Sequence, residues 1–550
     1  MHQKMFPAII SSLTAIVFLF AAACSSSPEN IEPFGHNVEK DIEILASDEF
    51  QGRAPSTPGG EKAVEYIKTR FAEIGLKPAN GDSYLQKVPL MEVTGSDFSP
   101  LVVSGNGEDI SLSYLDEMVV GSYRMQESVS IENSELVFAG YGIVAPEYGW
   151  NDYEGLDVEG KTVVVLVNDP GFATGDDSMF TGKAMTYYGR WTYKFEEASR
   201  QGAAAALIVH QTEPASYGWD VVRNSWSGTQ YGVASGDNER LLAEGWIHLD
   251  PAREIFEKAN IDFDDALTRA LEQGFRPEPM GLTASFSFAN QFDFADCHNV
   301  IGYIEGRSYP EETVIYMGHW DHLGMVETDG ETEIYNGAVD NATGVAGLMA
   351  IAERFMESDE MPERSIVFMA VTAEESGLLG SRFYSENPLF PIATKVAGIN
   401  MDALNVYGPT RDIVAVGYGF TELDEYMKKH ADRQNRVVKP NPYPERGYYY
   451  RSDHFNMAKQ GVPMIYANGG SDYIGRDQEY ADMVSSDYAN RYHQPSDVVH
   501  DLWDYDGIHQ DLWFFYGIGK ELANNDDFPG WAPDSEFRAA REESAHLRRN

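Results

Sequence analysis

Three short apolar segments in the second half of the chain each run directly into histidine or carboxylate side chains. The three junctions are Val314–Met317 before His319 and Asp321, Ile366–Val371 before Glu374 and Glu375, and Val396–Asn400 before Asp402. From Asn299 to about Ala523 such segments alternate with helical patterns, which predicts an open, largely parallel β-sheet with helices on both faces. In such a sheet, sites form at the carboxyl ends of the strands. We therefore expect these side chains to converge.

Two further segments contribute residues of the same type. Residues 336–344 form a glycine-rich loop that holds Asp340 just before a helical pattern. A carboxylate is favourable there because the N-terminus of a helix carries partial positive charge. His493 lies in a turn-like segment, residues 492–497. Taken alone, an Asp-Asn turn or a single histidine has an ordinary structural interpretation, but their joint occurrence beside the three strand ends favours a metal site.

The residue types indicate zinc. Imidazole nitrogen and carboxylate oxygen are zinc ligands, and a catalytic zinc site keeps one position open for water. Two ions can share one aspartate because a carboxylate has two oxygens, and together they activate a shared water. One member of the pair Glu374–Glu375 is then expected to stay off the metals and to transfer the proton.

These segments resemble the co-catalytic zinc peptidase family that includes bacterial leucyl-type aminopeptidases (peptidase family M28). The resemblance covers His36 to about Ala523, including residues 45–54. It implies a three-layer α/β/α domain of the phosphorylase/hydrolase-like kind, with a mostly parallel central sheet and two Zn²⁺ ions per chain. The roles that the resemblance implies are a bridging ligand at Asp340, one metal site completed by His319 and Asp402, a second completed by Glu375 and His493, and a general base at Glu374.

The resemblance implies three further features. Asp321 is expected to orient His319 through its carboxylate, and it is the second residue that we assign to catalysis. The peptide bond Asp340–Asn341 is expected to be cis. Residues 448–454 resemble the substrate pocket of the family, where Tyr449 is our candidate for stabilising the oxyanion. The alternative is that the tyrosines of this segment only line the pocket.

The length of 550 residues favours two or more domains. Residues 126–289 contain short β-like runs, such as 162–167 and 206–209, and no ligand pattern. We interpret them as an inserted β-rich domain that resembles a protease-associated (PA) domain in residues 152–164 and 198–205, which implies control of substrate access. The predicted division is a catalytic domain of residues 36–125 and 290–525, the insertion 126–289, and a peripheral tail 526–550.

The N-terminal residues 1–24 resemble a bacterial lipoprotein signal peptide. The apolar run Pro7–Phe20 is too short for a comfortable membrane span, and Ala21–Ala23 precede Cys24. We expect lipidation at Cys24 and a tether over residues 25–35, and simple cleavage after Ala23 is the alternative. The protein is then exported to the periplasm or outer membrane, or secreted, with membrane contact only through the lipid.

The formal net charge of −46, from 41 basic and 87 acidic residues, argues against a nucleic-acid partner because phosphates would be repelled. Peptide substrates are the expected partners, and no partner protein is predicted.

The implied function is that of an exported zinc aminopeptidase in which Glu374 activates the water between the two ions. The alternatives are a carboxypeptidase or dipeptidase of the same fold, a glutaminyl cyclase, and a non-catalytic receptor-like homologue. A cationic pocket would mark the carboxypeptidase, with candidates Arg411, Arg446 and Arg451.

Overall fold

The computed structural model describes residues 31–234, 240–328 and 330–549. The predicted signal peptide and residues 25–30 of the predicted tether lie outside the described residues. Within these ranges, no helix is both long enough and apolar enough to span a bilayer. One 17-stranded sheet and two separate two-stranded sheets organise the described part of the chain.

Within the described residues, the N-terminal segment forms two α-helices followed by two strands. Helix α2 begins where the Thr57 side chain accepts a hydrogen bond from the Gly60 amide at 3.2 Å, and it ends at Gly75 in the left-handed region. Its apolar residues are buried, as expected for an amphipathic helix on a core. The elements of this segment are α1 (Val38–Leu45), α2 (Pro58–Ile74), β1 (Lys77–Pro78) and β2 (Leu85–Ser96).

The described residues of the next segment form the predicted strands and also six α-helices. Strands β6, β9, β10 and β12 are parallel neighbours, and successive residues of β9 pack into apolar clusters on opposite faces of the sheet. The elements are β3 (Leu101–Ser104), β4 (Ile110–Leu112), β5 (Met118–Gly121), β6 (Ser128–Phe138), β7 (Val144–Ala145), β8 (Trp150–Asn151), β9 (Thr162–Leu166), α3 (Pro170–Thr174), α4 (Trp191–Arg200), β10 (Ala205–Val209), α5 (Thr212–Ala215), α6 (Trp219–Ser225), β11 (Thr229–Val233), β12 (Ala243–Ile247), α7 (Leu249–Lys258) and α8 (Phe263–Ala270).

The remainder of the chain alternates strands and helices. Its elements are β13 (Glu278–Ile304), β14 (Tyr309–His319), β15 (Gly324–Thr328), β16 (Glu331–Tyr335), α9 (Thr343–Met356), β17 (Arg364–Val371), α10 (Leu379–Glu386), β18 (Lys395–Asn400), β19 (Asp412–Val416), α11 (Leu423–Arg433), β20 (Val437–Pro440), α12 (His454–Lys459), β21 (Met464–Gly469), α13 (Gln478–Arg491), α14 (Asp506–Leu522) and α15 (Arg538–Glu543).

The centre of this part is a parallel group of strands in the order β17, β14, β18 and β21. Val314 and Tyr316 of β14 pack in one apolar cluster with α9 and α14, whereas Ile315 and Met317 pack in another with Tyr384 of α10. Helices therefore cover both faces of the sheet. The predicted α/β class and mostly parallel central sheet are confirmed.

Strand β13 is 27 residues long and links the two parts of the molecule. It pairs with β6 and β3 near its start, with β2 in its middle and with β17 at its end. Strands β3 and β5, which the predicted division assigns to the catalytic domain, contribute side chains to the apolar cluster of α7 and α8.

The C-terminal segment packs against the rest of the protein, so the expectation of a peripheral tail is wrong there. Trp531 and Phe537 are buried, and the Trp531 indole donates to the Gly461 carbonyl at 2.9 Å. The guanidinium of Arg541 donates to the carbonyls of Lys395 and Val396, at the start of β18. The sequence did not reveal these anchors, because polar and aromatic side chains make most of them and the segment has few aliphatic residues.

Candidate metal centre

The ligand-type side chains predicted from the strand ends meet at one edge of the central sheet. His319 is the last residue of β14, Glu374 and Glu375 follow β17, and Asp402 follows β18. Since these strands are parallel neighbours, their carboxyl ends lie side by side. The predicted convergence is therefore what the topology produces.

Asp340 lies between the two predicted histidines. Its Oδ1 is 3.2 Å from Nε2 of His319, and its Oδ2 is 3.1 Å from Nε2 of His493. His319 Nε2 also lies 3.5 Å from Asp402 Oδ1, and His493 Nε2 lies 3.2 Å from Glu375 Oε2. Each oxygen of Asp340 thus faces a separate histidine–carboxylate pair, and all five predicted ligands belong to one cluster.

The donor set fits a borderline metal such as zinc. Three groups in this cluster, His319–Asp340–Asp402, His319–Glu374–Glu375 and His322–Asp340–Glu375, hold their candidate ligand atoms within 4.8 Å of one another. The donors are imidazole nitrogens and carboxylate oxygens. Burial opposes ionisation of Asp340, yet the hydrogen bonds of His319 and His493 hold its pKa well below the usual range. An ionised carboxylate at this place is ready to act as a ligand.

The loop that carries Asp340 has an unusual backbone. The Asp340–Asn341 peptide is cis, as the resemblance implies. The Asp497 carboxylate accepts hydrogen bonds from the amides of Val339 and Asp340, at 3.0 and 3.2 Å. The Asn341 side chain donates to the Met401 carbonyl at 3.0 Å, which joins this loop to the end of β18.

Arg53 ties the loops of the centre together, and no local sequence pattern revealed it. This guanidinium is 1% exposed and donates to four backbone carbonyls, those of Trp320 (2.9 Å), Leu45 (2.6 Å), Asn336 (2.6 Å) and Gly337 (2.9 Å). One side chain thereby holds the segment after His319 beside the segment before Asp340. The only hint was the position of Arg53 inside residues 45–54, which carry part of the family resemblance.

Asp321 has a different contact from the predicted one. His319 Nδ1 lies 3.1 Å from the backbone carbonyl of Asp321, whereas the Asp321 carboxylate is 3.9 Å away and too distant for a hydrogen bond. That carboxylate instead accepts from the amides of Glu374 and Glu375, at 3.1 and 3.4 Å. Asp321 therefore holds the turn after β17, and its backbone orients His319.

Glu374 differs from its neighbour in its surroundings. Burial raises the pKa of its carboxyl well above the usual range, against the opposing effect of His319. For Glu375 burial acts in the same direction, but hydrogen bonds from His322 and His493 lower its pKa overall. A carboxyl of raised pKa next to ionised ligands suits proton transfer.

Tyr449 does not contact this cluster in the described part of the chain. It is 4% exposed, and its ring packs against Phe420 and His454. Tyr492 lies closer to the ligands: its ring stacks on His493 with centroids 3.8 Å apart, and it is 47% exposed. Burial, followed by the charges of Asp340 and other carboxylates of the cluster, raises its pKa. The sequence signal for Tyr492 was its position directly before a predicted ligand.

The fold and the cluster define an α/β protein with a candidate metal centre at the carboxyl edge of a parallel sheet. Residues 299–513, which hold every predicted ligand, match the model of peptidase family M28. The resemblance inferred from the sequence is confirmed over this segment.

Two curated relatives match parts of the chain. The Aminopeptidase NAALADL1 of Mus musculus is 33% identical over 140 residues, which make up 24% of this chain and 17% of that protein. The Probable glutamate carboxypeptidase LAMP1 of Arabidopsis thaliana is 30% identical over 301 residues, 49% of this chain and 41% of that protein. The chain thus spans less than half the length of these relatives.

Two solved structures are similar over most of their length. The aminopeptidase from Aneurinibacillus sp. strain AM-1 has a TM-score of 0.47 at 18% identity, covering 90% of this chain and 94% of that one. The zinc aminopeptidase BSAP from Bacillus subtilis has a TM-score of 0.42 at 14% identity, covering 91% and 98%.

Proposed function

We propose that this protein is an exported aminopeptidase that uses two zinc ions to hydrolyse the first peptide bond of its substrates. The observation that carries the proposal is the position of Asp340, whose two oxygens face His319 and His493 separately. His319, Asp340 and Asp402 would hold one ion, and Asp340, Glu375 and His493 the other. When bound, the pair supplies Lewis-acid polarisation of the carbonyl and lowers the pKa of water.

The side chains of this protein then perform the proton transfers. Glu374 accepts the proton of the attacking water and delivers it to the leaving amine. Tyr492, rather than Tyr449, is our candidate for donating a hydrogen bond to the developing oxyanion, because its ring stacks on His493 and remains exposed.

A carboxypeptidase is the second candidate. The Nε of Arg190 is buried without a hydrogen-bond partner among the described residues, and burial together with nearby Arg451 lowers the pKa of Arg190 to about 10. Arg451 directly precedes Ser452, whose hydroxyl donates to Asp402 at 2.5 Å. In this second candidate function, the guanidinium groups of Arg190 and Arg451 would bind a C-terminal carboxylate.

A substrate panel separates the two candidates. Aminoacyl 4-nitroanilides are compared with N-acetylated dipeptides that end in a free carboxylate, using the zinc-loaded protein and zinc stoichiometry measured on the same sample. An aminopeptidase cleaves only the first set, binds two zinc ions and loses activity with a chelator. Cleavage of the N-acetylated set alone, with loss of that activity in Arg190→Ala, would instead establish the carboxypeptidase.

Export and lipidation are proposed from the N-terminal pattern. The full-length chain is expressed with and without Cys24→Ala in a Gram-negative host, and the membrane and soluble fractions are compared after labelling with palmitate. Label and membrane association that both disappear in the variant support a lipoprotein. Unlabelled, soluble wild-type protein in the periplasm would favour simple cleavage.

A further inference from the structure

His322 is a buried histidine next to the metal centre that has no assigned role. It is 1% exposed and lies three residues after His319, on the loop that follows β14. Its Nδ1 is 2.7 Å from Oε1 of Glu375. Its Nε2 has no hydrogen-bond partner among the described residues. Within the described part of the chain, the only polar contact of the ring is therefore with a predicted metal ligand.

The direction of this hydrogen bond follows from the chemistry of the carboxylate. A ligating glutamate is ionised and can only accept hydrogen bonds, so Nδ1 of His322 must carry the proton and donate. The backbone at Gly337 also packs against the ring of His322. It is so close that a Cβ added at Gly337 would lie 2.5 Å from Cγ of His322. Gly337 has a φ of +54°, in the left-handed region where glycine is favoured. The imidazole is thus wedged between this backbone and Glu375.

The two oxygens of Glu375 consequently face different groups. Oε1 is occupied by His322, and Oε2 lies 3.2 Å from Nε2 of His493, on the side of Asp340. We propose that His322 is a positioning residue that holds Oε1 of Glu375 by a hydrogen bond and so directs Oε2 to the metal. This proposal rests on the proposed two-metal function. Since the ligand atoms of His322, Asp340 and Glu375 lie within 4.8 Å of one another, direct ligation by His322 is the competing possibility.

Three variants of the full-length protein test the proposal: His322→Leu removes the donor, His322→Asn retains an N–H donor near the position of Nδ1, and His322→Gln places an N–H donor further along the side chain. Bound zinc is measured in solutions buffered over a range of free zinc concentrations. We expect His322→Leu to lower the affinity for one of the two zinc ions about 10- to 100-fold, as for other groups that orient metal ligands. The affinity for the other ion should be unchanged. His322→Asn should restore most of this loss. His322→Gln shows whether the effect depends on where the donor lies.

Two results would overturn the proposal. Unchanged binding of both ions by His322→Leu would mean that the hydrogen bond does not position Glu375. If His322→Asn and His322→Gln lose as much affinity as His322→Leu, and the absorption spectrum of the cobalt-loaded protein changes in all three, the ring is itself a ligand. His509→Asn is the matched control, because His509 is 3% exposed and its ring is hydrogen bonded to Phe34 and Glu39, neither of which is a ligand. Zinc affinity is read without any substrate, so absence of peptidase activity would contradict the proposed function and leave this test intact.

Discussion

At the scale of single residues, neighbouring side chains of the same type differ in role because their surroundings differ. Glu374 and Glu375 are adjacent in the chain, yet Glu375 is hydrogen bonded to two histidines whereas the pKa of Glu374 is raised by burial. The sequence could propose that one of the pair moves a proton. Only the resemblance and the contacts distinguish them.

The first prediction concerns this pair. Glu374→Gln removes the proton acceptor but keeps the size of the side chain, so we expect both zinc ions to remain and kcat to fall about 10²- to 10⁴-fold with little change in KM. Glu375→Gln is the matched comparison, and it should lose zinc as well as activity. Steady-state kinetics with zinc analysis of each variant provides the measurement. Near-normal turnover by Glu374→Gln would exclude it as the base.

A second prediction concerns Lys395, which is fully buried with Nζ 3.0 Å from the Tyr384 hydroxyl. Burial lowers the pKa of Lys395 to about 7. Between this value and that of an unfolded lysine, near 10.5, the unfolded chain binds a proton that the native chain lacks, so the stability of the fold rises with pH across this window. Below pH 7 burial of the protonated Lys395 lowers the free energy of unfolding by its full amount, roughly 5 kcal/mol.

Lys395→Met should therefore stabilise the protein near neutral pH and lose that advantage by pH 10. Urea unfolding midpoints at pH 6.5 and pH 10 measure the difference. Lys520→Met, at an exposed position, is the control and should show no such pH dependence. An equal gain for Lys395→Met at both pH values would contradict the assigned cause.

At the scale of elements, the sequence predicted the strands and helices around the centre because the spacing of apolar residues within each short segment indicates its secondary structure. Strands β17 and β18 begin within two residues of the apolar segments that precede the ligands, whereas β14 begins at Tyr309, five residues before its apolar segment. Contacts between distant segments could not be predicted in this way. Arg53 donates to backbone carbonyls, which any residue type supplies. The sequence also did not show that Tyr449 is buried whereas Tyr492 is exposed and stacks on His493.

The C-terminal segment gives the prediction at this scale. The Glu536 carboxylate accepts hydrogen bonds from the Tyr187 amide at 3.1 Å and the Tyr450 hydroxyl at 3.0 Å, so the tail joins the insertion to the loop before Ser452. Glu536→Ala leaves both donors without this acceptor and should lower stability by about 1–3 kcal/mol. Glu536→Gln keeps an acceptor and should cost less. Urea denaturation compares them, and equal stability of Glu536→Ala and wild type would show that the contact is dispensable.

At the scale of the whole molecule, acidic residues outnumber basic ones by 46, so many carboxylates have no basic residue with which to pair. Mutual repulsion of surface carboxylates destabilises the compact state, and 0.1 M salt screens this repulsion at separations beyond about 10 Å. We expect the melting temperature to rise between 0.02 and 0.5 M salt by about 2 °C or more. Scanning calorimetry in NaCl and KCl measures it. A rise in only one of the two salts would indicate a specific cation instead of screening.

The shared strand β13 has a consequence for how this architecture can be altered. Because β13 pairs with strands of both halves, no loop divides the two halves along this strand. A chimera that exchanges the insertion for another must sever backbone pairing near Ala289, where the partners of β13 change from β6 to β2. We therefore expect a chimera to fold best when β13 is transferred together with the strands that pair with it.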